Sequence, residues 1–364
     1  MKRLRPAGRG GVCPRLAVSP ILAVVLAGSL SASSPGPAAG PEPDGDGTPE
    51  WAETELTLEV SGVRIPARLT LPRRDGTPAS AMVLVPGSLH SDVDGNYPSW
   101  GIFPRTYADL GRQLAARGHA VLRFAKLGPG SGSEVVDAAA AERHRAFLHR
   151  VDTARAALDL LLASPSLKGF QGPAVVAGHS EGAVVAFLLA QRDRRIRGVV
   201  SLSGPSVGLL DILREQAAAM PGVDGPGALE ILDATLRAIR DGAQLPPEAA
   251  DDPAARGVAS MDEASHRYLA EVDGVDPAAE LARVHQPVLL IQGGRDPSVL
   301  PHHMQRLATA RAGKPTKTAL FPDLQHMYKT VEGELDPMAS FALATDSDPA
   351  VAAAIDGWIR HSVE

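Results

Sequence analysis

The chain of 364 residues has one cysteine, Cys13. No disulfide can form within it, so stability in an oxidising compartment has to come from packing. Aromatic residues are scarce, at 4% of the total, and alanine does much of the filling. Acidic residues outnumber basic ones, 42 to 36, which leaves no basic excess for a nucleic-acid backbone. Internal repeats are absent, as is low-complexity sequence outside a Pro/Gly-rich stretch at 35–49. The long apolar run at 16–30 falls short of the roughly 20 residues that span a bilayer.

That run sits in a leader. Lys2, Arg3, Arg5, Arg9 and Arg15 precede or open it with no acidic residue among them, and small residues follow over 29–39. This is the arrangement of a secretory signal peptide over residues 1–32, with cleavage near Ala32 or Ala39; an uncleaved anchor is the alternative. Cys13 leaves with the leader and so cannot carry a lipid at the new N-terminus. The expected location is secreted or periplasmic, without stable membrane anchoring after cleavage. Residues 33–52 read as a flexible Pro/Gly-rich linker and 53–364 as one α/β domain, more acidic still once the leader is gone.

Within that domain, alternation over 53–72 predicts two antiparallel strands joined at Ser61-Gly62. Continuous apolar runs at 82–85, 120–124, 174–177, 198–202 and 288–291 read as buried strands, and 318–321 as a further strand. Tyr107, Leu110 and Leu114 recur at helical spacing, ended by Gly118, and a glycine-rich loop follows at 128–132. An amphipathic helix over 145–163 places Leu148, Val151, Leu158, Leu161 and Leu162 on one face. Asp348-Pro349 supplies a cap and a first-turn proline to a closing helix. Strands alternating with helices predict an α/β fold with a mostly parallel central sheet and helices on both faces. From 205 to 284 the rhythm turns helical, with segments at 209–220 and 228–240. This stretch is expected to be a cap over the C-terminal strand ends.

Gly178-His179-Ser180-Glu181-Gly182 lies between the apolar run at 174–177 and a helical run at 183–190. That is the context of a nucleophile elbow, where a strand turns sharply into a helix and presents a serine in a strained conformation. The flanking glycines leave room for the turn. A serine hydroxyl needs a base and an acid that orients the base, in the chain order serine, acid, histidine. Asp296 follows the strand at 288–291 and His326 follows the strand at 318–321, so Ser180, Asp296 and His326 are the candidate catalytic residues. Asp323 and Asp336 are rival acids. His302 and His303 are expected to face solvent or the cap, and His179 cannot easily turn back onto Ser180. The oxyanion donors are expected to be the backbone N–H groups of Glu181 and Ser88, with Leu89 the nearest competitor to Ser88. Asp92 and Asp94 suggest calcium only superficially; without a glutamate at the twelfth loop position they read as turn and capping residues, so no metal ligand is assigned.

With these residues in place, the chain over roughly 55–360 resembles serine hydrolases of the α/β-hydrolase superfamily. Val85-Pro86-Gly87-Ser88 with Asp92-Val93-Asp94-Gly95-Asn96 is similar to the oxyanion loop of bacterial esterases related to dienelactone hydrolases and prolyl-oligopeptidase-like enzymes. Arg123-Phe124-Ala125-Lys126-Leu127-Gly128 resembles that group's Arg-Tyr-Asp-Lys-Arg-Gly, and Asp323-Leu324-Gln325-His326 its histidine loop. Leu89-His90, Ala125 and Leu127 depart from the pattern around the acyl pocket. The resemblance implies hydrolysis of a small-molecule carboxylic ester, without a cofactor. A peptidase or amidase with the same triad, or a catalytically silent binding protein of this fold, are the alternatives.

Overall fold

The computed structural model describes residues 49–363 apart from 75, 221, 222, 224, 226, 334–340 and 344. The leader, Cys13, both candidate cleavage points and Asp336 lie outside the described residues. β1 (Trp51–Val60) and β2 (Val63–Pro72) form the expected hairpin. Ser61 and Gly62 at its tip have φ of 43° and 73°, and the two-residue turn that matches strand twist needs positive φ at both central positions. The hairpin begins at Trp51, inside the stretch read as linker, because Trp51 pairs with Pro72 and the Arg73 N–H donates to the Glu50 carbonyl.

The chain then runs through β3 (Ala81–Val85), α1 (Thr106–Ala116), β4 (Ala120–Phe124), short β5 (Glu134–Val135), short α2 (Ala138–Ala141), α3 (His149–Leu162), β6 (Ala174–His179), α4 (Glu181–Arg192) and β7 (Ile196–Leu202). An insertion follows, which among the described residues is helical throughout: α5 (Leu209–Ala218), α6 (Glu230–Asp241), α7 (Arg256–Ala259), α8 (Glu263–Asp273) and α9 (Pro277–Arg283). β8 (Val288–Gly293), α10 (His302–Ala310), β9 (Thr316–Phe321) and α11 (Pro349–Ser362) complete the layers. Asp348 caps α11 by accepting the Ala350 N–H at 2.8 Å.

The strands lie in the order β1-β2-β4-β3-β6-β7-β8-β9, with β5 against β2. From β4 to β9 every neighbouring pair is parallel. Helices cover both faces, so the inner strands bury alternate residues in two separate cores. Val83, Val85, Leu122, Val176 and Val199 face α3 and α4. Met82, Leu84, Val121, Val175 and Val200 face α1 and α11. Burial on both sides is why these strands read as continuous apolar runs rather than as alternation.

Two readings are corrected. α3 starts at His149 rather than 145, because the Glu271 carboxylate accepts the Phe147 and Leu148 N–H groups and 142–145 take a tighter 3₁₀ turn. Leu148 therefore stands before the helix and is 43% exposed, while Val151, Leu158 and Leu161 are buried as expected. The two-residue β5 was beyond reach of any periodic signal.

Candidate active site

The turn after β6 is strained. Ser180 has φ 55° and ψ −126°, and its N–H donates to the Leu202 carbonyl at 2.8 Å, which ties the turn to β7. A Cβ on Gly178 would lie 2.1 Å from the Gly182 carbonyl oxygen, and one on Gly182 only 2.5 Å from that of Pro86. The first turn of α4 is thus pressed against the end of β3, which brings the loop after β3 beside Ser180.

Asp296 and His326 meet across the ends of β8 and β9. His326 Nδ1 lies 2.7 Å from Asp296 Oδ2, both side chains being buried. Asp296 also accepts the Ser298 and Val299 N–H groups at 2.8 and 3.0 Å and Gln292 Nε2 at 3.1 Å. Burial pushes its carboxyl up, but the His326 ring and these donors outweigh it and hold it below the ordinary carboxylate range. A carboxylate there keeps the His326 proton on Nδ1 and leaves Nε2 as an acceptor. Gly293 and Gly294 make the meeting possible: a Cβ on either would lie 2.4 or 2.5 Å from the Leu324 or Pro322 carbonyl oxygen. Asp323, the rival acid, is exposed and stands outside this pair.

His179 turns away from Ser180 into the core. Its Nε2 lies 3.0 Å from the His326 carbonyl oxygen, which can only accept, so the ring proton is on Nε2. Nδ1 must then accept from the Tyr107 hydroxyl at 3.1 Å, and the Tyr107 oxygen in turn accepts the Gly87 N–H at 2.9 Å. Burial, reinforced by His326, pushes His179 down to about 3, so the ring stays neutral. One chain of hydrogen bonds with fixed polarity therefore links the loops carrying Ser88, Ser180 and His326.

The loop after β3 has its carbonyls held from behind. Arg150 donates to Pro86 O at 2.5 Å and Gly87 O at 3.2 Å, and Lys126 donates to Ser88 O. Both cations also bind Glu181 Oε1, as does the Tyr268 hydroxyl at 2.7 Å. Burial would raise the Glu181 carboxyl, but the Lys126 and Arg150 charges hold it down at about 2. The N–H groups of Ser88 and Glu181, by contrast, are not among the backbone groups paired in turns and loops of the described residues. Ser88, Ser180, Glu181 and His326 line one pocket.

The sequence model of the alpha/beta hydrolase family matches residues 82–331. This chain belongs to that family. Among curated proteins, the chain is 25% identical to esterase EstD of Thermotoga maritima over 295 residues, 78% of its length. It spans only 62% of that relative's length. Among solved structures, ferulic-acid-bound Est1E of Butyrivibrio proteoclasticus superposes with a TM-score of 0.53 at 16% identity, over 84% of this chain and 98% of the other. The acylaminoacyl peptidase of Pyrococcus horikoshii superposes with a TM-score of 0.51 at 14% identity, over 86% of this chain and 42% of that one. These two likenesses are of fold.

In this chain the helical insertion supplies the apolar wall of the pocket, with Leu209, Ile212 and Leu213 from α5 and Val272 from α8 lining it together with Val184 and Val299. Leu89, a departure from the resemblance pattern, lines the pocket too. His90 beside it turns away, with Nδ1 on the Leu127 carbonyl and its ring against Gly128, where no Cβ would fit. His302 is exposed, whereas His303 is buried against the insertion. Its Nδ1 accepts the Ser206 N–H at 3.2 Å, which puts the ring proton on Nε2, 2.7 Å from Glu215 Oε2 in α5. His303 is thus a hydrogen-bonded latch between α10 and α5, with no lone pair left to offer the neighbouring His302 and Glu215 as a metal ligand. Asp94 binds Arg68 and Arg123, and Asp92 takes the Asp94 and Asn96 N–H groups, so the loop carboxylates are engaged in holding the loop and the hairpin together.

Sequence reasoning missed Arg150, Tyr268, Tyr107 and Gln292 and saw Lys126 only through a resemblance. Their signals are weak: single polar residues within helices or at strand ends, buried by partners far along the chain.

Proposed function

We propose that this hydrolase cleaves small-molecule carboxylic esters through an acyl-enzyme on Ser180. The observation that carries the reading is the buried Asp296–His326 pair, opening on one pocket with a serine in a strained elbow. Ser180 Oγ attacks the ester carbonyl while His326 Nε2 takes its proton, and Asp296 holds the Nδ1–H and favours the imidazolium that forms. The oxyanion accepts the Ser88 and Glu181 N–H groups; losing one such donor typically costs about 2.7–4 kcal/mol of transition-state stabilisation. Collapse breaks the bond to the alcohol, which leaves with the proton from His326. Water then attacks the acyl-enzyme by the same route and frees Ser180.

The apolar wall from α5 and α8 suits a substrate whose acyl or alcohol part is apolar beyond the reacting carbonyl. The names of EstD and Est1E agree with ester chemistry. A leader over residues 1–32 supports action outside the cytoplasm, which the mass of the mature N-terminus checks. The enzymatic reading is tested with p-nitrophenyl esters of increasing chain length run beside a matching anilide. Turnover of esters with the anilide much slower is expected. Folded protein that turns over no ester, or both substrates at one rate, contradicts it.

A further inference from the structure

The pocket explains what Ser180 and His326 face, but not why two cations and a carboxylate are buried behind the loop that faces them. Arg150 on α3 and Lys126 after β4 have side chains only 11% and 12% exposed, and Glu181 is 2% exposed. None of this is needed to bury apolar surface, and a buried ion cluster is a poor source of stability. Its contacts fall in one place. Arg150 reaches the carbonyls of Pro86 and Gly87, Lys126 reaches that of Ser88, and both converge on Glu181 Oε1.

The peptide plane gives this arrangement a consequence. In a trans peptide the carbonyl and the following N–H point in opposite directions. Arg150 on the Gly87 carbonyl therefore turns the Ser88 N–H away from α3, and Lys126 on the Ser88 carbonyl fixes the peptide on the other side of Ser88, with the Leu89 N–H pointing away from the ammonium. Ser88 and Leu89 line the pocket; Arg150 and Lys126 do not. Glu181 closes the figure, because its side chain binds the two cations while its backbone N–H stands at the start of α4 beside Ser180. Tyr268 adds a fourth element: it comes from α8 of the insertion, donates to Glu181 Oε1, and has Lys126 Nζ 5.4 Å from its ring centroid.

We propose that Arg150 and Lys126, joined through Glu181, are positioning residues that aim the two halves of the oxyanion hole, and that Tyr268 makes their grip depend on the seating of the helical insertion. The inference rests on the ester-cleaving reading of Ser180. The excess positive charge behind the loop also favours the negative charge that develops in front of it during attack. A misaimed donor leaves ground-state binding largely intact and weakens the transition state.

The test compares wild type, Arg150→Lys and Tyr268→Phe. Each variant is measured for kcat and KM on p-nitrophenyl butyrate, for inhibition by an alkyl trifluoromethyl ketone, and for melting temperature. The ketone accepts Ser180 Oγ at its carbonyl carbon, the serine proton passing to His326, and so places a stable oxyanion in the hole. Arg150→Lys keeps a charge but loses the fork that spans two carbonyls and a carboxylate. The expected result is a fall in kcat of about 10- to 100-fold for Arg150→Lys, a smaller fall for Tyr268→Phe, KM within about twofold, and ketone affinity falling in step with kcat. If Arg150→Lys does not fold, Tyr268→Phe decides alone, since it removes one hydroxyl. Folded variants with wild-type kcat and ketone affinity overturn the proposal, as does a loss that appears in KM alone. Wild-type protein that hydrolyses no ester speaks against the ester reading itself, a failure distinct from that of the positioning proposal.

Discussion

The rings of His179 and His326 lie tilted at 44° to each other with centroids 4.5 Å apart, and His179 Nε2 donates to the His326 carbonyl oxygen at 3.0 Å. The residue before the elbow serine thus holds the backbone of the candidate base. Replacing it with glutamine is expected to lower kcat by about tenfold or more, because small shifts of a catalytic group are costly, and to destabilise the protein by about 1–3 kcal/mol through unpaired buried groups. Ester kinetics and urea unfolding at pH 7 measure the two effects.

The same ring gives a pH dependence whose sign follows from its environment. Burial and His326 push folded His179 down to about 3, while an unfolded histidine titrates near 6.5. Between those values the unfolded chain binds more protons, so stability is full above about 6.5 and is lost as pH falls toward 3. Urea unfolding at pH 7, 5.5 and 4 is expected to show a steeper decline for wild type than for His179→Gln. Parallel declines would show that this ring does not contribute.

Gly182→Ala tests the contact between the elbow and the oxyanion loop. Its Cβ would meet the Pro86 and Val85 carbonyl oxygens at 2.5 and 2.6 Å, and backbone on both sides leaves little room to yield. Overpacking of this kind typically costs about 1–3 kcal/mol. Because the displaced segment carries Ser88, kcat is expected to fall further than the loss in stability accounts for. Ester kinetics and a melting curve on the same preparation check both.

Lys126 carries a prediction on the alkaline side. Burial and the Arg150 charge push its ammonium down to about 7, against the pull of Glu181, with Tyr268 and His90 the other titratable groups around it. As pH rises through about 7 the lysine loses its proton, and the grip on the Ser88 carbonyl weakens. Wild-type kcat is therefore expected to decline above neutral pH, and Lys126→Arg, which stays charged, to hold its rate further into the alkaline range. Identical profiles of kcat against pH would contradict the assignment.

The backbone of the site is legible in the sequence and its support is not. Ser180, Asp296 and His326 each follow their own strand, and parallel strands bring their C-terminal ends to one edge. Glycines at 178, 182, 293 and 294 mark close approaches of backbone. Arg150, by contrast, sits in a helix whose period announces only an apolar face, and its burial depends on Glu181 and Pro86, which are distant in sequence. Leu148 shows the reverse error: it fits the helical period, but Glu271 starts the helix after it. The insertion is visible as helices, yet only the fold shows that α5 and α8 turn Leu213 and Val272 to the pocket.

Asp296 is separable from its rival by substitution. Asp296→Asn is expected to reduce turnover by about ten-thousandfold, as removing the charge from a triad acid does. Asp323→Asn, on an exposed carboxylate, is expected to stay near wild type. Ester kinetics on both variants decide the assignment, and the reverse pattern would overturn it.

Labelling with a fluorophosphonate followed by peptide mapping tests whether Ser180 is the nucleophile. One modified peptide is expected, carrying the adduct on Ser180, with labelling abolished in Ser180→Ala and strongly slowed in Asp296→Asn. An adduct on another serine, or folded wild-type protein that does not react, would contradict it.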